Sequence, residues 1–188
     1  MAASLRLDRD SSQLLVVDVQ ERLAPHVDAH EALIARCEAL IEAAVAFGIP
    51  RLLTEHCPAQ IGEVLPRLRR RFADDEIFVK THFGATDHDG FMSRLHHGRR
   101  QVVVAGMEAH VCVMQTALGL VARGFSVFIA ADAVGSRAQR AEDRALALHR
   151  LREAGCTLAG TETVLFEWTR SGDDAAFRDT LRLVKDLP

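Results

Sequence analysis

The chain has 188 residues, of which 48% are hydrophobic and 26% are charged, and its formal net charge at pH 7 is -3. This composition is typical of a globular protein with a sizeable core, and it excludes disordered and collagen-like chains. Because the small negative charge gives no broad attraction to phosphate, we expect neither a nucleic-acid partner nor a membrane partner. The length predicts a single domain over residues 1–188.

Short runs rich in Val, Ile and Leu alternate along the chain with longer segments of helical periodicity, a pattern typical of strand–helix–strand units. The apolar runs predict six strands, at residues 14–19, 51–54, 77–80, 101–105, 126–130 and 157–159. The segments between and after them predict helices at residues 29–47, 62–72, 91–96, 111–123, 137–153 and 173–184. Since the strands are apolar on both faces, we expect an α/β fold, a three-layer α/β/α sandwich with a six-stranded, mainly parallel, doubly wound sheet.

The sequence also bears on the compartment. No apolar run reaches the ~18 residues needed to cross a bilayer, and the first residues lack the apolar segment of a secretory signal. The four cysteines, Cys37, Cys57, Cys112 and Cys156, are widely spaced and form no CxxC pair. We therefore expect a cytoplasmic protein with four free thiols, without a disulfide framework or a structural zinc site.

Two charged patterns are interpreted as structural. The basic run at residues 67–71 is followed at once by an acidic run at residues 74–76, which indicates a self-neutralised, solvated helix end. His26 and His30 stand four residues apart without the glutamate of a metalloprotease motif, and we expect both to be exposed. No P-loop, G-x-S-x-G elbow or dinucleotide-binding glycine pattern is present in the sequence.

Polar residues follow three of the predicted strands, where an open α/β sheet binds its ligands. They are Asp18, Lys80 and the segment 106–112, which ends in Cys112. Each also has a structural explanation, because Asp18 could order a turn and Lys80 could be a solvated strand end. Cys112 could be a small buried thiol, or a thiol whose pKa is lowered by a helix N-terminus. The combination of an acid, a base and a thiol favours a shared catalytic site.

Three blocks of sequence resemble the catalytic blocks of the isochorismatase-like cysteine hydrolases. They are Val-Val-Asp-Val-Gln at residues 16–20, Val-Lys-Thr-His-Phe-Gly-Ala at 79–85 and Gly-Met-Glu-Ala-His-Val-Cys-Val at 106–113. Later segments at residues 132–137 and 164–168 are also similar to this family, so the resemblance covers nearly the whole chain. The Glu-Ala form of the last block and the Thr54-Glu55 pair look closest to the isochorismatase-domain-containing branch.

This resemblance implies a catalytic mechanism. Asp18 would take the proton from Cys112, and Lys80 would hold both electrostatically. The thiolate would attack an amide-like carbonyl and give a thioester, which water then hydrolyses. The backbone N–H groups of Cys112 and Glu108 would form the oxyanion hole, with a cis peptide bond expected between Met107 and Glu108.

The resemblance also bears on substrate and cofactor. The candidate substrate-binding residues are Gln20, Glu55, His56 and Phe83, although Phe83 could equally be core and His56 could be structural. The segment 54–62 lacks the Asp-x-His pair of the metal site in nicotinamide-hydrolysing members, so we expect no metal and no cofactor. Retention of Cys112 argues for thiol chemistry rather than vinyl-ether cleavage.

Two hypotheses follow. The first is a metal-independent cysteine hydrolase, expected to be an amidohydrolase that cleaves a C–N bond, acting on a small-molecule amide or related carbonyl compound. The alternative is a catalytically silent binding, interaction or redox-sensing protein that retains the fold. The family implies a homo-oligomer, a dimer or larger, and the apolar Phe166 and Trp168 could cover either the core or a partner subunit.

Overall fold

The computed structural model describes residues 6–188, and its centre is a six-stranded sheet. The strands are β1 (Ser12–Val17), β2 (Arg51–His56), β3 (Ile77–Lys80), β4 (Gln101–Met107), β5 (Ser126–Gly135) and β6 (Thr157–Ala159). They are ordered β3-β2-β1-β4-β5-β6, and every neighbouring pair is parallel. This confirms the predicted α/β sheet, with an order that reverses direction between β1 and β4, as in doubly wound folds.

Helices cover both faces of the sheet. They are α1 (His30–Ala46), α2 (Pro58–Ile61), α3 (Pro66–Arg69), α4 (Phe91–Arg94), α5 (Met114–Ala122), α6 (Ala141–Glu153), α7 (Thr161–Thr169) and α8 (Phe177–Lys185). One apolar cluster joins one face of the sheet to α1, α7 and α8, and a second joins the other face to α4, α5 and α6. The molecule is therefore a three-layer sandwich.

The alternation of side chains along β1 explains why the strand is apolar throughout. Leu14 and Val16 belong to the first cluster, whereas Leu15 and Val17 belong to the second. Because successive side chains of a strand point to opposite faces, a strand covered on both faces needs apolar residues at every position. β1 pairs with β2 on one side and β4 on the other, so it lies in the middle of the sheet.

The predicted ends of β1 and β5 are wrong. β1 ends at Val17 rather than at residue 19, because Asp18 takes a left-handed backbone conformation with φ of 50°. β5 extends to Gly135, and its pairing with β4 shifts register between Val104 and Gly106. Such an irregularity is not visible as a change in apolar pattern.

The predicted helix at residues 62–72 is also wrong. Gly62 has φ of 81°, Val64 forms an antiparallel bridge with Gln20, and a single turn, α3, begins only at Pro66. Proline has no N–H to donate and restricts the residue before it, so it suits the first turn of a helix and not its middle. Leu65 accordingly has ψ of 130°, outside the helical region.

Helix α7 is absent from the sequence-based assignment. Its inward residues Thr161, Val164, Leu165 and Trp168 are buried and follow the i, i+3, i+4, i+7 spacing of a helix face, which is the signal that could have found it. Trp168 is fully buried in the core, whereas Phe166 is 38% exposed.

The patterns interpreted as structural have the following outcomes. All four cysteines are free. The arginines of the basic run form ion pairs with acids from several parts of the chain, Glu31, Glu38 and Glu42 among them, rather than mainly with the acidic run that follows. His26 is exposed, but His30 is half-buried. Across residues 6–188 no helix has both the length and the apolar character that a membrane span requires.

Candidate active site

The candidate site lies at the carboxyl edge of the sheet, where β1 and β4 are neighbours at the reversal of strand order. Val17 pairs with Gly106 there, and a Cβ added to Gly106 would lie 2.0 Å from the carbonyl oxygen of Val17. Gly106 also has φ of 120°. Only glycine tolerates both this backbone conformation and this close approach, and it therefore brings the chain after β4 next to the end of β1.

Asp18 and Lys80 form a fully buried ion pair. The Nζ atom of Lys80 lies 2.7 Å from Oδ2 of Asp18, and neither residue is exposed. The hydroxyl of Thr54 donates a hydrogen bond of 2.6 Å to Oδ1 of Asp18. Asp18 directly follows β1 and Lys80 is the last residue of β3, and because β2 lies between these strands, the ion pair spans the width of one strand.

The ammonium group of Lys80 has a full set of acceptors. Besides Asp18, it donates to the backbone carbonyl oxygens of His82 and Phe83, each at 3.2 Å. An ammonium has three N–H donors, and all three are satisfied. These hydrogen bonds satisfy the buried amine nitrogen and fix the turn that follows β3.

Cys112 lies on a short π-helical segment, Ala109–Val113, that leads directly into α5. Its side chain is 7% exposed. Burial raises the pKa of the Cys112 thiol well above its ordinary value, the negative charge of Asp18 raises this pKa further, and the positive charge of Lys80 opposes both effects. Burial and the carboxylate thus shift this pKa in the direction that favours the thiol over the thiolate.

The loop between β4 and Cys112 is held by Glu108. The peptide bond between Met107 and Glu108 is cis. The carbonyl oxygen of Glu108 accepts hydrogen bonds from the N–H groups of Val111 and Val113. Its carboxylate accepts from both the backbone N–H and the Nε of Arg137, at 3.1 and 2.9 Å. Glu108 thus joins the loop after β4 to the loop after β5.

A cavity of about 360 Å³ opens onto Asp18 and Cys112. It is lined by Asp18, Arg22, Leu23, His26, His56, Ile61, Phe83, Glu108, Val111, Cys112 and Arg137. This volume lies within the ~300–1,000 Å³ typical of small-molecule sites. Phe83 is 51% exposed and belongs to the cavity wall rather than to the core.

His56 lies in the same wall, stacked on Phe83 with ring centroids 5.0 Å apart. Burial lowers the pKa of its imidazole, and the neighbouring charge of Lys80 lowers this pKa further. The Nδ1 atom of His56 is buried and has no hydrogen-bond partner among the described residues. Both effects favour the neutral imidazole, and its ring is part of the cavity wall.

Gln20 and Glu55 are not among the residues that line the cavity. The side chain of Gln20 is fully buried, and it donates to the carbonyl of His56 and accepts from its backbone N–H. Glu55 is 3% exposed and accepts a hydrogen bond of 2.9 Å from the N–H of Val64. Both hold the loops that form the cavity, and their contact with substrate stays a prediction.

Sequence reasoning missed several wall residues, most importantly Arg22, His26 and Arg137. All three lie on segments that follow the carboxyl ends of β1 and β5. Inspection of every polar residue shortly after a predicted parallel strand would have found them. Within residues 6–188, no three side chains of His, Cys, Asp or Glu come together as a metal site.

Comparison with known proteins identifies the family of this chain. The family model of the isochorismatase domain matches residues 12–163. The chain belongs to the isochorismatase family. It is 34% identical to isochorismatase domain-containing protein 2 of Danio rerio over 185 residues, which covers 98% of this chain and 92% of that protein.

Two solved structures show the same fold. A structure described as the MAR1 ribonuclease from Caenorhabditis elegans is 31% identical, with a TM-score of 0.90 over 97% of this chain and 94% of that one. The ycaC gene product from Escherichia coli, an octameric hydrolase of unknown specificity, is 26% identical, with a TM-score of 0.90 over 100% and 93%. The chain therefore has the fold of an isochorismatase-family hydrolase.

Proposed function

We propose that this protein is a metal-independent cysteine hydrolase that cleaves the C–N bond of a small amide or a related carbonyl compound. The observation that carries the proposal is the buried Asp18–Lys80 ion pair, which acts on the thiol of Cys112 at the floor of a small-molecule cavity. An acid, a cation and a nucleophile gathered at one concave site are the parts that acyl transfer needs.

The raised pKa of the Cys112 thiol supports Asp18 as the general base, because the thiol must lose its proton to attack. As the sulfur of Cys112 bonds to the substrate carbonyl carbon, its proton passes to Asp18, and the carbonyl oxygen becomes an oxyanion. When the C–N bond breaks, Asp18 returns this proton to the departing amine and a thioester remains. Water then attacks the thioester, again with Asp18 as base, and releases the acid and the free thiol.

Lys80 is the counter-charge for these steps. Lys80 stays hydrogen-bonded to Asp18 and to two backbone carbonyl oxygens. Its positive charge stabilises the carboxylate of Asp18 before proton transfer and the thiolate of Cys112 during attack. The backbone N–H groups of Glu108 and Cys112 are the donors we assign to the oxyanion. The hydrogen bond between the carboxylate of Glu108 and Arg137 holds the Glu108 backbone in place for this role.

The same site weighs against the alternatives. A redox-sensing cysteine needs an accessible thiolate with a low pKa, whereas burial and Asp18 raise the pKa of Cys112. The Caenorhabditis elegans neighbour is described as a ribonuclease. This chain has a net charge of -3 and a cavity suited to a small molecule, so we propose no nucleic-acid substrate.

We also propose that residues 1–188 form one isochorismatase-like domain that assembles as a homo-oligomer. The octameric ycaC gene product, whose structure matches the full chain, supports this assembly. Light scattering coupled to gel filtration tests it, and a monomer at micromolar concentration would contradict it.

The test of the function separates thiol reactivity from turnover. Asp18→Asn removes the negative charge that raises the Cys112 pKa, so alkylation of Cys112 by iodoacetamide should move to lower pH. The same substitution removes the base, so hydrolysis of a panel of small amides should fall by about 10²-fold or more. Cys112→Ala should abolish hydrolysis, and Cys57→Ser is the matched control that should leave it unchanged.

Peptide mass spectrometry follows alkylation, and ammonia release follows hydrolysis. A faster-alkylating but inactive Asp18→Asn protein is the expected result. If no amide in the panel is hydrolysed by the wild type, and Asp18→Asn leaves the alkylation profile of Cys112 unchanged, then Asp18, Lys80 and Cys112 do not act as a catalytic triad. The hypothesis of a catalytically silent protein then replaces this one.

A further inference from the structure

The charges on the cavity wall do not cancel. The two carboxylates that line it are each paired, Asp18 with Lys80 at 2.7 Å and Glu108 with Arg137 at 2.9 Å. The remaining charged residue of the wall is Arg22. Within residues 6–188 no carboxylate lies at ion-pair distance from its guanidinium, so the cavity keeps one uncompensated positive charge beside the nucleophile.

Arg22 is held in place although it is exposed. Its backbone N–H donates to the carbonyl of Ile61 at 3.1 Å, and its Nη1 donates to the carbonyl of Gln60 at 2.9 Å. These two bonds tie the residue to the loop that contains α2. The side chain therefore has a defined position on the wall, and its remaining N–H donors are available to a ligand.

Arg137 adds a second set of donors. Its Nε is bonded to Glu108, and its side chain is 44% exposed. No other acceptor is bonded to this guanidinium in the described part of the chain. A guanidinium is planar and presents paired N–H donors that match the two oxygens of a carboxylate.

We propose that the substrate carries a carboxylate in addition to the carbonyl group that Cys112 attacks, and that Arg22 with Arg137 recognises this carboxylate. The proposal rests on the proposed function and names its substrate class. Leu23, Ile61, Phe83 and Val111 add apolar surface to the wall, beside the rings of His26 and His56. The class is thus a short amide with a carboxylate at one end, the amide at the other and an apolar segment between.

The decisive probe is a pair of reagents that differ in charge and little in size. Iodoacetate is an anion and iodoacetamide is neutral, and both alkylate thiols. The rate of alkylation of Cys112 by iodoacetate is divided by its rate with iodoacetamide. Dividing this ratio by the same ratio for glutathione in the same buffer gives a relative ratio. The relative ratio measures the preference of the site for an anion. We expect this relative ratio to exceed 1 at low salt and to fall as salt screens the charge.

Three variants assign the preference. Arg22→Gln should lower the relative ratio about fivefold, because it removes one positive charge from a partly exposed position. Arg22→Lys should restore part of it. Arg152→Gln removes the same charge from an exposed site at the C-terminal end of α6 and should leave the ratio unchanged. A relative ratio of 1 or less in the wild type, or equal effects of Arg22→Gln and Arg152→Gln, would overturn the proposal.

Hydrolysis supplies an independent arm with succinamic acid and butyramide, which have four-carbon chains and differ in the carboxylate. Preferential hydrolysis of succinamic acid, with a KM raised by Arg22→Gln, supports the proposal. Equal hydrolysis of both compounds overturns it and leaves the proposed function intact. If the alkylation ratio depends on Arg22 but no amide is hydrolysed, the carboxylate site is supported. The proposed hydrolase function is then contradicted instead.

Discussion

Two ion-pair regions of this protein have similar geometry and different surroundings. At the carboxyl edge of the sheet, Lys80 and Asp18 lie 2.7 Å apart with side-chain exposures of 0% and 1%. At the opposite extreme, Arg170 lies 2.9 Å from Asp8 and 2.6 Å from Asp10, with exposures of 36%, 45% and 74%. The N···O distance does not distinguish the two regions, so it does not show how much each ion pair contributes to the stability of the fold.

The surroundings make the difference. The buried pair needs the Thr54 hydroxyl and two backbone carbonyls to satisfy its remaining atoms, because no water is available to replace them. The exposed cluster is solvated and screened by salt. We therefore expect the buried pair to be sensitive to any single change, and the exposed cluster to tolerate the loss of one partner.

The largest expected effect is that of Lys80→Met, which removes the cation and leaves Asp18 buried without its partner. We expect the free energy of unfolding to fall by about 3–5 kcal/mol, measured by urea denaturation. The double variant Asp18→Asn with Lys80→Met removes both charges and should be at least about 1 kcal/mol more stable than Lys80→Met alone. A loss of less than about 1 kcal/mol in the free energy of unfolding for Lys80→Met would show that burial does not make the loss of one partner costly.

An intermediate effect is expected for Thr54→Val, which keeps the shape of the side chain and removes the 2.6 Å hydrogen bond to Asp18. One acceptor site of a buried carboxylate is then unsatisfied, which costs about 1–3 kcal/mol. Thr163→Val, at an exposed position of α7, is the matched control and should stay within about 0.5 kcal/mol of the wild type. Equal effects of the two substitutions would contradict the role of this hydrogen bond.

The smallest expected effect is that of Arg170→Gln, whose urea midpoint should be close to that of the wild type in high salt. The Arg170 hydrogen bond holds the pKa of Asp10 below its usual value of 3.8. Because the pKa is lowered in the folded protein, its contribution is present above about pH 4 and is lost as the pH falls through the folded value. Any difference between wild type and Arg170→Gln should therefore shrink on acidification, and a difference that grows at low pH would contradict this assignment.

Much of the site could be predicted because its parts follow strands. Asp18, Lys80 and Cys112 each stand after an apolar run, and the carboxyl ends of parallel strands meet at one edge of a sheet. The roles of Gln20 and Glu55 could not be assigned in this way, because the residue type does not tell whether a polar side chain is buried against a loop or exposed to a ligand. Only their hydrogen bonds to His56 and Val64 show that they hold loops.

The sequence by itself determined the strand count and the positions of the acid, the lysine and the thiol, because apolar periodicity and strand ends are local properties of the chain. The tertiary structure decided the strand order, the helix at Thr161–Thr169, the direction of the Cys112 pKa shift and the uncompensated charge of Arg22. These four features depend on which residues, distant in sequence, come together in the fold. The pKa of a buried thiol depends on a carboxylate far away along the chain, and the net charge at Arg22 depends on whether any carboxylate of residues 6–188 folds against it.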